Sequence, residues 1–150
     1  MNQNSAATSS STALDLVTLL SRVRAELVRD VDRAASGHGV SFSDLTLLRE
    51  LAAAPEGRMR RSDLAERLGV TTSNIARQLG PLERIGVVDR ETNPKDARLA
   101  LVVLTDAGRR VATEAGAIAD ERAAATLDRA WSGEEQAQLE ALLAKARGGR

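Results

Sequence analysis

The chain is 150 residues long with 43% hydrophobic content, enough for one packed core and too short to demand a second independent domain. It has no cysteine, a single histidine, and 21 basic against 21 acidic side chains, so disulfide frameworks, thiolate metal sites, thiol redox switches and an overall basic surface are all excluded. No apolar run approaches the roughly 18 residues of a membrane span, and the polar start MNQNSAATSSST lacks the basic and apolar regions of a signal peptide, so a cytoplasmic protein with no membrane partner is expected.

Residues 1–11 are small and polar without periodicity and read as a disordered tail. From residue 12 onward the chain reads as a single unit. Thr12 followed by Asp15 is a capping-box pattern, and Leu16, Leu20, Val23, Leu27 and Val31 recur at helical spacing, giving an amphipathic helix over about 12–35. After the breaker SGHGV, Ser41 and Asp44 repeat the pattern before Leu45, Leu48 and Leu51, and the Pro55–Gly57 segment stops that helix. Ser62 starts a short third helix with Leu64, Ala65 and Leu68 inward and Gly69 as its stop.

The turn Gly69–Val70–Thr71 leads into a fourth helix, a spacing that fits a helix-turn-helix. At about 100° per residue, Ile75, Leu79 and Leu82 share one face. Ser73, Asn74, Arg77 and Pro81 lie opposite, with Thr72 at the amino end and Gln78 at the flank. This polar set of little bulk suits a DNA major groove, where Arg can take guanine O6/N7 and Asn or Gln can take adenine N6/N7. Gly80–Pro81 removes a helical hydrogen bond, which predicts a kink or an early end before Leu82.

Val87 and Val88 begin a strand, TNPKDAR supplies a turn, and Leu99 to Leu104 returns as a second strand with Leu99, Leu101 and Val103 expected inward. A hairpin directly behind a helix-turn-helix is a wing. Arg90 and Lys95 on it are candidate phosphate contacts, which position a protein without specifying sequence. Arg58, Arg60 and Arg61, ahead of the third helix, are weaker candidates for the same role. Thr105–Asp106 opens a long Ala-rich helix with Val111, Ala115, Ile118 and Ala119 on one side. Ser132 with Glu135 caps a last helix whose apolar side is Leu139, Leu142, Leu143 and Ala146.

Charge follows the same organisation. Residues 58–110 hold 11 basic and 7 acidic side chains (net +4), whereas residues 1–57 and 111–150 each hold 5 basic and 7 acidic (net −2 apiece). The basic island coincides with the helix-turn-helix and wing. An enzyme is not expected: without cysteine or tyrosine, with one loop histidine and no Gly-rich phosphate cradle, the chain offers no nucleophile–base–orienter set, and neither a metal site nor a cofactor is implied. Phe42 and Trp131 are the only aromatic residues. Phe42 reads as a core anchor at the start of the second helix, and Trp131 as a packing residue between the last two.

Asp96-Ala97-Arg98 followed by Leu104-Thr105, together with DLAERLGV and NIARQLGPLERIGVVDR, resembles the MarR family of bacterial winged-helix regulators. The resemblance runs from about Leu14 to Ala146. It implies a mainly α fold with a small β-hairpin, in which a winged helix-turn-helix at about 42–104 is flanked by dimerisation helices at about 12–35 and 106–147. It further implies a homodimer reading a pseudo-palindromic operator in double-stranded DNA in successive major grooves, acting as a ligand-responsive repressor. On the wing it assigns Arg98 to the minor groove or its phosphates, with Asp96 restraining the side chain. A small-molecule effector pocket between the dimerisation helices and the winged lobe is implied near His38 and Phe42, although His38 on its own reads as a loop residue. Two features set the chain apart: Pro81 is uncommon at its place, and there is no cysteine for peroxide sensing. The rival reading is a winged-helix protein-interaction module without DNA binding, and the net +4 of the island argues against it.

Overall fold

The computed structural model describes residues 12–93 and 96–148; the side chains of residues 92–99 lie outside that description. Among the described residues, six α-helices and three strands follow in the order α1 (Ala13–Ala35), α2 (Phe42–Ala53), β1 (Arg58–Arg60), α3 (Arg61–Leu68), α4 (Thr72–Arg84), β2 (Val88–Asn93), β3 (Asp96–Leu104), α5 (Asp106–Ala130) and α6 (Gly133–Gly148). The tail expected to be disordered, residues 1–11, falls outside the described residues.

The helix starts follow the capping chemistry. In α1 the Thr12 hydroxyl accepts from the Asp15 amide at 3.1 Å while the Asp15 carboxylate accepts from the Thr12 amide at 2.9 Å. Ser41 and Asp44 do the same for α2, and Ser132 and Glu135 for α6. These reciprocal bonds satisfy amide donors that a helix amino end otherwise leaves without partners. Helix α3 begins one residue earlier than expected, at Arg61, with no side-chain cap, and the Ser62 hydroxyl turns instead to the Asp63 carboxylate at 2.9 Å.

The core is centred on the winged lobe and extends to Val31 and Ala35 of α1 and Ala112, Ala115 and Ala119 of α5. Leu47, Leu48 and Leu51 of α2, Leu64 of α3, Ile75 and Leu79 of α4 and Val102 of β3 are its largest fully buried side chains. A short strand that the sequence reading missed, β1, completes a three-stranded antiparallel sheet in the order β1-β3-β2, with Met59 opposite Val102. Helix α5 lies against α1 and α2, and its buried residues are all small: Gly108, Ala112, Ala115, Gly116 and Ala119. Gly108 is required by contact: a Cβ there would sit 1.9 Å from the Val87 carbonyl oxygen.

Three expectations need correction. On β3 the inward residues are Val102 and Leu104, which pair with Met59 and Val88, while Leu101 and Val103 are only half-buried and face Glu91 and Asp89 across the ladder. Leu99's side chain lies outside the described residues. LALVVL is nearly all apolar, so it carries no phase of its own; pairing sets it, and a one-residue slip moves every side chain to the other face. On α5, Ile118 is exposed and the buried places around it are held by the smaller Ala115, Gly116 and Ala119. Finally, α4 does not end before Leu82: it runs helical through Pro81 to Arg84. Gly80 removes one part of the conflict, the clash of the proline ring with the preceding Cβ, and the Pro81 ring itself is exposed.

Candidate nucleic-acid interface

The polar face of α4 is produced by burial of its other side. Gly69, at φ +66°, ends α3 in the left-handed region that glycine tolerates, with its amide and that of Val70 donating back to Glu66 and Ala65. Thr71 then caps α4, its hydroxyl accepting from the Asn74 amide at 3.2 Å. Because Ile75, Leu79 and Leu82 are fully packed, Thr72, Ser73, Asn74 and Arg77 are left together in solvent. Within this group the Arg77 guanidinium donates to the Asn74 side-chain oxygen.

Gln78, expected at the flank of the same face, is held elsewhere. It is half-buried, and its Nε2 lies 3.1 Å from the Ser43 hydroxyl and 3.0 Å from Asp44 Oδ1. An amide NH₂ has two hydrogens, and both are engaged here. The other oxygen of Asp44 serves the α2 capping box at 2.7 and 2.9 Å, so one carboxylate both starts α2 and fastens α4 to it. Ser43 and Asp44 carried no signal for this role, because the contact spans 34 and 35 residues of sequence. A groove of about 340 Å³ opens between the two helices, lined by Ser41, Val70, Asn74 and Arg77 among others.

The basic island is partly self-neutralised. Arg90 on β2 pairs with Glu83 of α4, which ties the base of the hairpin to that helix. Arg58 pairs with Glu56 at 3.3 Å and Glu91 at 3.0 Å, and Arg67 with Glu50 at 3.5 Å. All are surface pairs, each worth about 0–1 kcal/mol, and each is weak enough to be exchanged for a phosphate. Of the wing-tip residues, Lys95 lies outside the described residues, as do the side chains of Asp96 and Arg98, whose backbone opens β3.

The two residues expected near an effector separate. Phe42 lines an apolar cavity of about 640 Å³ with Leu20, Leu27 and Val31 of α1, Leu127 of α5 and Trp131. Its backbone amide donates to Asp32 at 2.6 Å, anchoring α2 to α1. His38 sits half-buried in the short 3-10 turn Ser36–His38 and is not among the residues of that cavity. Trp131, read from sequence only as a packing residue, forms part of its wall. Among the described residues no group of three acidic or histidine side chains could hold a metal ion, and no helix is long and apolar enough to cross a membrane.

Comparison with known proteins agrees with this layout. The sequence profile of the MarR family matches residues 38–99. An uncharacterized HTH-type transcriptional regulator of Bacillus subtilis, YdgJ, is 41% identical over 71 residues; the match spans 47% of this chain and 42% of that relative, less than half its length. Among solved structures, a MarR family regulator from Streptomyces coelicolor in complex with DNA is 26% identical with a TM-score of 0.78, covering 92% of each chain. A mutant of MarR from E. coli complexed with operator DNA is 25% identical with a TM-score of 0.78, covering 87% of this chain and 92% of its own.

Proposed function

We propose that the protein, whose residues 38–99 match the MarR family profile, is a homodimeric, sequence-specific DNA-binding repressor acting on a pseudo-palindromic operator. The observation that carries the reading is the α4 face: Thr72, Ser73, Asn74 and Arg77 stand in solvent while Ile75, Leu79 and Leu82 are completely packed. A helix with a buried, rigid back and a small polar front is shaped to enter a major groove. Arg98 on the wing, restrained by Asp96, reaches an adjacent minor groove, whose negative potential attracts arginine. Arg90 and Lys95 neutralise phosphates and set register.

Dimerisation is supported by the terminal helices. Leu14, Leu16, Val17 and Leu19 of α1 and Leu142 and Leu143 of α6 are each at least half exposed within one chain. Exposed large apolar side chains concentrated on two neighbouring helices mark an association surface, and a second copy covers it and places two α4 helices about one DNA turn apart. An effector held in the cavity of Phe42 and Trp131, beside this surface, lowers operator affinity by favouring a lobe spacing that no longer matches DNA.

Fluorescence anisotropy of the protein against DNA from upstream of its own gene, and against a duplex selected from a random pool, tests the reading, with scrambled duplex as control. Sequence-selective binding that weakens steeply with salt, as release of phosphate counterions requires, is the expected result. Equal, weak binding to every duplex would overturn it.

A further inference from the structure

An asparagine on a reading helix ordinarily discriminates adenine, because its amide offers an acceptor to N6 and a donor to N7 side by side. Asn74 is not in that state. One lone pair of its oxygen already accepts from the Arg77 guanidinium, and since a guanidinium only donates, the amide oxygen faces Arg77 and the NH₂ group is turned away from it. Both residues are exposed on the same face, one helical turn apart at i and i+3. Gln78, the only other amide on this part of α4, has both of its hydrogens engaged by Ser43 and Asp44.

Resting on the DNA-binding reading above, we infer that Asn74 and Arg77 act as one reading unit that leads with its N–H donors, and that the base it selects in each half-site is guanine and not adenine. Guanine presents two acceptors, O6 and N7, to the major groove, and both can be met by N–H groups of the pair. An adenine in the same place sets its N6 amino group against the guanidinium, donor to donor, and leaves one of the two without a partner; an unmade bond to a desolvated polar group is penalised more than a made one is rewarded. The Asn74 bond also holds the arginine in one orientation before DNA arrives, which reduces the conformational freedom lost on docking. Gln78 is a positioning residue in this scheme. It fixes how far α4 projects from α2 and reads no base.

The test is selection from a random duplex pool by the full-length protein and by its Asn74→Ala and Arg77→Ala variants, both at exposed positions where the cap and the core are untouched. The expected result is a motif in which the same half-site position relaxes in both variants, that position being guanine in the parent motif, with 7-deazaguanine there weakening parent binding by about tenfold. An Asn74-dependent adenine, or relaxation at different positions in the two variants, would overturn the shared guanine unit while leaving DNA reading intact. A pool that yields no motif with the parent protein would overturn the operator reading and this inference with it.

Discussion

The winged lobe and the terminal helices spend their apolar residues in opposite ways. In the lobe Leu47, Leu48, Leu51, Leu64, Ile75 and Leu79 are fully removed from water, whereas α6 buries no residue and α1 buries only Val31 and Ala35 at its carboxyl end. Leu14 is 73% exposed and Leu142 66%. The lobe is complete within one chain, and its rigidity fixes the α4 face. Helices α1 and α6 leave their large apolar side chains uncovered within one chain, and a second copy is the occupant proposed above. On the function proposed above, one part of the molecule would set what is read, and the other the spacing at which it is read twice.

Substitutions on the two sides of this divide should behave differently, and the largest effect belongs to the lobe. Leu48→Ala, at a fully buried site, is expected to cost about 2–5 kcal/mol of stability, and chemical denaturation should show the loss at every protein concentration. The paired change Leu16→Glu with Leu143→Glu should leave a folded chain by circular dichroism yet abolish the concentration dependence of its melting, since only an associated state is stabilised by mass action. If melting remains concentration-dependent, the association surface lies elsewhere.

Smaller effects sharpen the reading head. Arg98→Ala should weaken binding to the selected duplex by about 1–3 kcal/mol, the range for a charge-assisted contact, with an unchanged melting temperature; full affinity would remove the wing from the interface. Gln78→Ala should lower affinity evenly across duplexes that differ at single positions. A loss concentrated at one base pair would make Gln78 a reader and break the clasp to Asp44.

The smallest effect is set by the helix caps. The Thr12 hydroxyl and amide hold Asp15 below its ordinary pKa, and the Ser132 amide and hydroxyl do so for Glu135. Because the folded pKa values are depressed, the caps contribute fully above the ordinary carboxylate range of about 4, and that contribution is lost as pH falls through the lowered values. Helicity of the parent chain measured below pH 4 should therefore fall further than that of Asp15→Asn with Glu135→Gln, whose caps no longer titrate.

What could be read from sequence divides along physical lines. Thr12 with Asp15, Ser41 with Asp44 and Ser132 with Glu135 were legible because a capping box is decided within four residues, and Gly69 because a left-handed stop is decided by one. The α4 face was legible because Ile75, Leu79 and Leu82 fix the rotation of that helix. The phase of β3 was not, since a uniformly apolar run is settled only by its partners Met59 and Val88. Strand β1 was missed for the same reason: Arg58–Met59–Arg60 has no strand pattern of its own and exists through pairing with β3. Gln78 illustrates the limit at the site. Its helical position suggested a reader, but Ser43 and Asp44, distant in sequence, take its donors.

The most direct measurement is the mass, by sedimentation equilibrium, of the complex formed between the full-length protein and its selected palindromic duplex. A complete reading lobe that depends on a second copy for its spacing predicts two chains per duplex, with a single half-site bound far more weakly. Saturation at one chain per duplex with undiminished affinity would contradict it, and the exposed leucines of α1 and α6 would then have to serve some other partner.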